Sequence, residues 1–169
     1  MSPAGIPMFY GAFDMKTALK ETYTKSDTEK VATVGKFEVL DNLNFVDVSN
    51  LPIMPGMFKP GSRDERHSLR FLYEFANDIS KSVEKDGREH IDYVPTQIIS
   101  EHLRHIHKLP DGTMVDGIIY KSSKENTNDS CVIFIDDKGC CDVNESKAGA
   151  KLVLVEAFTI DPEDNRNYK

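Results

Sequence analysis

The sequence predicts an α+β domain. Short apolar runs with strand character recur at 6–12, 31–40, 43–48, 115–120, 131–135 and 151–160. Segments at 15–22, 64–83 and from 93 onward have apolar residues three and four apart, the period of a helix with one buried face. The two kinds of element alternate irregularly, which argues against the repeating strand–helix order of a doubly wound sheet. The chain has 169 residues, no internal repeat and no low-complexity tract. It is expected to form a single domain over 1–169 with a real core.

The first strand, 6–12, holds Ile6, Met8, Phe9 and Tyr10. Asp14 can cap a helix over 15–22 with Ala18 and Leu19 facing inward. The polar stretch 24–30 reads as a loop. Val31, Val34, Phe37 and Val39 alternate loosely in the second strand, and Leu43, Phe45 and Val46 fill the third. The two are predicted to form a hairpin across Asp41-Asn42. Three prolines and two glycines make 51–63 a loop. The strongest helix then starts at Ser62 or Asp64 and runs to about 83, with Leu69, Leu72, Tyr73, Ala76, Ile79 and Val83 as its stripe. That stripe serves a core or a dimer surface. A charged turn follows at 84–88.

Tyr93-Val94-Pro95-Thr96-Gln97 opens a further helix, with Pro95 in its first turn and Ile98, Ile99, Leu103 and Ile106 as its apolar face. Asp111-Gly112 is a turn. Two buried strands, 115–120 and 131–135, flank the polar loop 121–130. Leu152-Val153-Leu154-Val155 is too apolar for a surface, so 151–160 is a last strand before a frayed tail at 161–169.

A net charge of −7 argues against a nucleic-acid binder, because phosphate binding draws its affinity from Lys and Arg. It leaves an anionic small molecule open, since a few local cations outweigh distant charge. No apolar run reaches the roughly 20 residues of a membrane span, and no secretory signal pattern opens the chain. Three cysteines, two of them adjacent at Cys140-Cys141, make a poor disulfide framework. A reducing cytoplasm is the expected compartment. His102, His105 and His107 read as a polar helix face rather than a zinc site, because no carboxylate or thiol follows at ligand spacing. Asp136 and Asp137 read as a turn, and Glu101 with Arg104 as a surface ion pair.

Three places carry a resemblance. The first is Gly5-Ile6-Pro7-Met8-Phe9-Tyr10-Gly11-Ala12 followed by Thr17-Ala18-Leu19-Lys20-Glu21. The second is 93–104, with its Thr96-Gln97 pair. The third is Asp116-Gly117-Ile118-Ile119-Tyr120-Lys121-Ser122-Ser123, followed by Cys131-Val132-Ile133-Phe134. In this order they resemble the RES family, and its longer members in particular.

The resemblance implies a split, twisted β core with flanking helices, like that of ADP-ribosyltransferase toxins. It implies NAD as substrate rather than cofactor, with the nicotinamide–ribose bond broken by hydrolysis or phosphorolysis and no metal required. Short members are toxins paired with an antitoxin protein, so an antitoxin is an expected partner, and a homodimer is a second. Breaking an N-glycosidic bond makes the ribose cationic, and a carboxylate beside it stabilises that charge. Glu21 is the matching residue. Tyr10 matches the aromatic that stacks on nicotinamide. Ser122 matches a hydroxyl that orients the substrate, with Ser123 as its neighbour and rival. The family's Arg, a fork for the pyrophosphate, falls one residue before Met1 by this spacing. The chain is therefore expected to lack its extreme N-terminal segment, and its activity to be weak in this form. Arg63, Arg66 and Arg70 lie elsewhere, and Lys121 or Lys124 could replace the missing cation. Ser130 stands where many members have a polar amide. Two further readings stay open: transfer of ADP-ribose to a protein, and a non-catalytic binding module.

Overall fold

Two mixed β-sheets and three helices build the α+β fold, among the residues described in the computed structural model: 2, 5–23, 31–81, 94–124, 128–145 and 148–162. The first sheet has four strands: β1 (Phe9–Ala12), β5 (Asp129–Ile133), β4 (Gly117–Lys121) and β3 (Phe45–Asp47), in that spatial order. β1 and β4 flank β5 antiparallel, and β3 joins β4 in parallel. The second sheet sets β7 (Leu152–Ile160) between β2 (Ala32–Val39) and β6 (Cys140–Asp142). The helices are α1 (Met15–Thr22), α2 (Arg63–Ile79) and α3 (Val94–His105).

Side chains alternate across a strand, so one strand can serve two cores. Ile118 and Val132 point to one face of the first sheet and pack with Val48 and with Phe75 and Ile79 of α2; Ile99 and Leu103 of α3 border this cluster. Cys131 and Ile133 point to the other face and meet Leu152 of the second sheet, with Phe9 and Phe37 at the border. The Phe9 and Phe37 rings meet edge to face at 4.9 Å and 74°. The result is helices, sheet and sheet in three layers.

The predicted strands all form, but the hairpin across Asp41-Asn42 does not. β2 instead runs antiparallel along β7 over eight residue pairs, and Leu40 N–H donates to Lys151 O at 2.9 Å. β3 pairs in parallel with β4, Phe45 opposite Gly117. Asp-Asn offers no glycine for the positive φ of a tight hairpin turn, and the nine-residue β7 gives β2 a far longer ladder than the three-residue β3 could.

The helix faces also need correction. In α1 the buried residues are Thr17 and Leu19, with Ala18 only half-buried. In α2 Phe75 joins Leu69 and Ile79 inside, while Tyr73 lies outward and donates from its hydroxyl to Pro52 O at 2.9 Å. In α3 Ile98 and Ile106 are about two-thirds exposed, at 64% and 66%, whereas Thr96 and Ser100 are buried. The expected loop at 24–30, turn at 84–88, and the ends Val83, Tyr93 and 163–169 lie outside the described residues.

Gly117 is required where β3 and β4 meet. A Cβ there would press into Val132 O and come within 2.7 Å of Phe45 Cε1. Backbone on one side leaves nothing to yield. Gly117→Ala is expected to destabilise the fold by about 1–3 kcal/mol, the usual cost of overpacking, read as a lower urea midpoint at unchanged slope.

Candidate functional site

α1 is fixed at its start by a side-chain cap. Asp14 accepts from Thr17 N–H at 2.8 Å through Oδ1, and from Thr17 Oγ1 at 2.7 Å through Oδ2. Such a cap satisfies orphan donors of the first turn. Asn128, just before β5, donates from Nδ2 to Asp14 Oδ2 at 3.1 Å and to Thr17 Oγ1 at 2.9 Å. The helix start is thus tied to the start of β5. Partial burial works to raise the Asp14 pKa, but the donors on Thr17, Asn128 and Lys16 outweigh it, and the carboxyl ends below its ordinary value.

Two turns further on, α1 presents Glu21. Its Oε1 accepts from Ser122 Oγ at 2.5 Å and from Ser123 N–H at 2.9 Å, and its Oε2 accepts from Ser123 Oγ at 2.9 Å. Three donors thus converge on one carboxylate from the turn after β4. That turn is itself held, since Ser122 N–H donates to Asn128 O at 3.0 Å and Lys124 N–H to Ser122 Oγ at 3.2 Å. A carboxylate oxygen has two acceptor sites. Oε1 uses both, and no described residue fills the second site of Oε2.

The sheet register adds a third side to this site. Directly paired strand residues share a face, so Tyr10, Val132 and Ile118 form one row and Ala12, Ser130 and Tyr120 the next. Tyr10 is therefore diagonal to Tyr120 across β5. Burial raises the Tyr120 pKa well above its ordinary value, and the nearby charges of Glu21 and Tyr10 raise it further. Tyr120 is thus a neutral phenol close to both residues. Tyr10 itself is 47% exposed, and its hydroxyl accepts from Ser2 N–H at 2.9 Å.

Of the residues predicted from sequence, Glu21, Ser122 and Ser123 lie in direct contact, and Tyr10 stands nearby on the same sheet face as Tyr120. Ser122 occupies a different position from the one expected of a substrate-orienting hydroxyl. It is fully buried and its hydroxyl donates a hydrogen bond to Glu21, so it holds the carboxylate in place. Arg66 and Arg70 are engaged away from this site: Arg66 Nη1 donates to Pro55 O at 2.5 Å, and Arg70 Nε pairs with Glu74 at 2.9 Å. Lys121 pairs with Asp129 at 2.7 Å, while Lys124 is exposed beside Ser123. Glu101 lies 3.4 Å from His105 and forms no ion pair with Arg104 among the described residues. Sequence reasoning missed Asn128, and it gave no site role to Tyr120 or to the buried Ser130. A same-face partner of Tyr10 could have been found only by knowing that β1 and β4 flank β5.

An α+β fold of two mixed sheets thus sets the Glu21 carboxylate near Tyr120 of an inner strand, with Tyr10 on the edge strand of the same face. The sequence model of the RES domain matches residues 1–149 of the 169-residue chain, and the chain belongs to the RES domain family. No curated protein and no solved structure matches it. No helix among the described residues is long and apolar enough to cross a membrane.

The raised Tyr120 value fixes a pH dependence. Above about pH 10, the ordinary tyrosine value, the unfolded chain loses this proton while the folded chain keeps it. Unfolding then releases a proton, so stability falls as pH rises. Burial also pushes the Cys131 thiol from 9.0 up to about 11, which steepens the same fall from about pH 9. Urea midpoints measured from pH 8 to pH 11 should decline, and Tyr120→Phe should flatten the part of the decline above pH 10.

Proposed function

We propose that the chain consumes NAD by cleaving the bond between nicotinamide and ribose. The observation that carries this reading is the Glu21 carboxylate, fixed by three donors, with one acceptor site on Oε2 that no described residue fills. In the reaction the C–N bond to the pyridine breaks and its electron pair leaves with neutral nicotinamide. The ribose carbon becomes cationic until water or phosphate adds. Glu21 stabilises that cation and takes a hydrogen bond from a ribose hydroxyl at its open site. Because its geometry is set beforehand, little reorganisation is needed as charge develops. Tyr10, half open to solvent, offers its ring face to the pyridine. Ser122 and Ser123 act through Glu21 as positioning residues, and Tyr120 keeps a neutral phenol beside it. Family membership supports an NAD-directed activity.

The test is release of nicotinamide from labelled NAD by the full chain. Free nicotinamide with unlabelled protein supports hydrolysis or phosphorolysis. Label retained on protein supports transfer of ADP-ribose instead, and no release at all overturns the reading. Glu21→Gln, which keeps the shape and removes the charge, should lower the rate about a hundred- to thousand-fold with an unchanged circular dichroism spectrum. Ser122→Ala removes one of three donors and should cost about tenfold in rate.

A further inference from the structure

The side chain of Gln97 is a polar group linked to Tyr10 through Ser2 that the proposed reaction leaves unused. It projects from the first turn of α3, half-buried, where the neighbouring inward residues are the hydroxyl-bearing Thr96 and Ser100. Its Nε2 donates to Ser2 O at 3.2 Å, and Ser2 N–H donates to the Tyr10 hydroxyl at 2.9 Å. One residue therefore spans the whole gap between the hydroxyl edge of Tyr10 and the Gln97 amide. What fills that gap is a donor aimed at Tyr10 and a carbonyl oxygen aimed at Gln97. A primary carboxamide on a flat ring carries the same two functions side by side.

We infer that Gln97 is a specificity-determining residue that reads the carboxamide of a pyridine ligand through its side-chain N–H. The inference rests on the reading of Tyr10 as the platform for the ring. An offset stack is the favoured arrangement of two rings, and it carries the ring's substituent past the edge of Tyr10 toward Gln97. There the ligand's carbonyl replaces Ser2 O as the acceptor. Gln97 also lines an open groove of about 520 Å³ with Val94 and Ile98. A site built around a donor rejects analogues that lack the acceptor, because the donor is left unpaired.

The experiment is a titration of the full chain with nicotinamide and with 3-methylpyridine, followed by backbone amide shifts. The two ligands share the ring and differ in the carboxamide. The wild-type chain is expected to bind nicotinamide about tenfold more tightly. Gln97→Ala, which favours the helix, and Gln97→Glu, which keeps the length without the donor, should each bring the ratio to about twofold or less. A wild-type chain without preference, or variants that keep it, overturns the inference. The titration does not require turnover. A chain that discriminates yet releases no nicotinamide from NAD keeps this inference and overturns the proposed reaction. A chain that releases nicotinamide, with Gln97→Ala leaving the preference intact, overturns this inference alone.

Discussion

A carboxylate in the last turn of a helix sits at the negative end of the helix dipole, where acidic groups cost about 0.3–1 kcal/mol rather than stabilising. Glu21 holds that position in α1 and is half-buried besides, so it has lost part of its water. What makes the arrangement tenable is the turn about a hundred residues away, whose two hydroxyls and one N–H all end on this carboxylate. Hydrogen bonds to a charged group are the strong ones, about 1.5–3 kcal/mol each. The Asp14–Thr17–Asn128 cluster ties the other end of α1 to the strand that follows the same loop. α1 is thereby fixed at both ends to the two sides of the β4–β5 connection, and the site inherits its geometry from that double tie.

The parts of this arrangement that were legible in the sequence are those written locally. Asp14 and Thr17 announce a cap within three residues, and the observed bounds of α1 coincide with the expected ones. The apolar runs of β4, β5 and β7 announce strands. Resemblance of motifs added the association of Tyr10, Glu21 and the Ser122-Ser123 pair, which lie more than a hundred positions apart in sequence. Strand partners were not legible, because a period of two tells which face a residue takes and not which ladder it joins. The loose alternation of β2 fits β3 as well as β7 on paper, and only the length of the available ladder decides between them.

The polar inward face of α3 was illegible for a different reason. Counting apolar residues assumes that burial follows hydrophobicity, and in α3 this holds only in part: Ile99 and Leu103 pack against the core, but Ile98, and Ile106 just past the helix end, are outside while Thr96 and Ser100 are inside. The same assumption made Ser122 look like a rim hydroxyl. Its position at the end of an apolar strand was read correctly, but its complete burial depends on α1 lying across it, which no local pattern encodes. Tyr120 illustrates the converse, since it reads as a core residue from its run and packs against the core, yet it is only half-buried and lies near Glu21.

Two buried hydroxyls carry a cost to the fold. Ser100 Oγ in α3 and Ser130 Oγ in β5 are buried without a hydrogen-bond partner among the described residues, a loss of about 1–3 kcal/mol for each group. Ser130 lies directly between Ala12 and Tyr120 in the register, and alanine at either serine would avoid that loss. One row away the same face carries the apolar Ile118 and Val132. Departures from local rules concentrate where a protein does its work. Here three of them lie close together: an acid at the wrong end of a helix, a half-buried phenol near that acid, and, paired with the phenol in the register, a buried hydroxyl without a partner among the described residues. Each is destabilising alone. The neighbouring row on the same face, Tyr10, Val132 and Ile118, runs from a half-exposed tyrosine straight into the hydrophobic core.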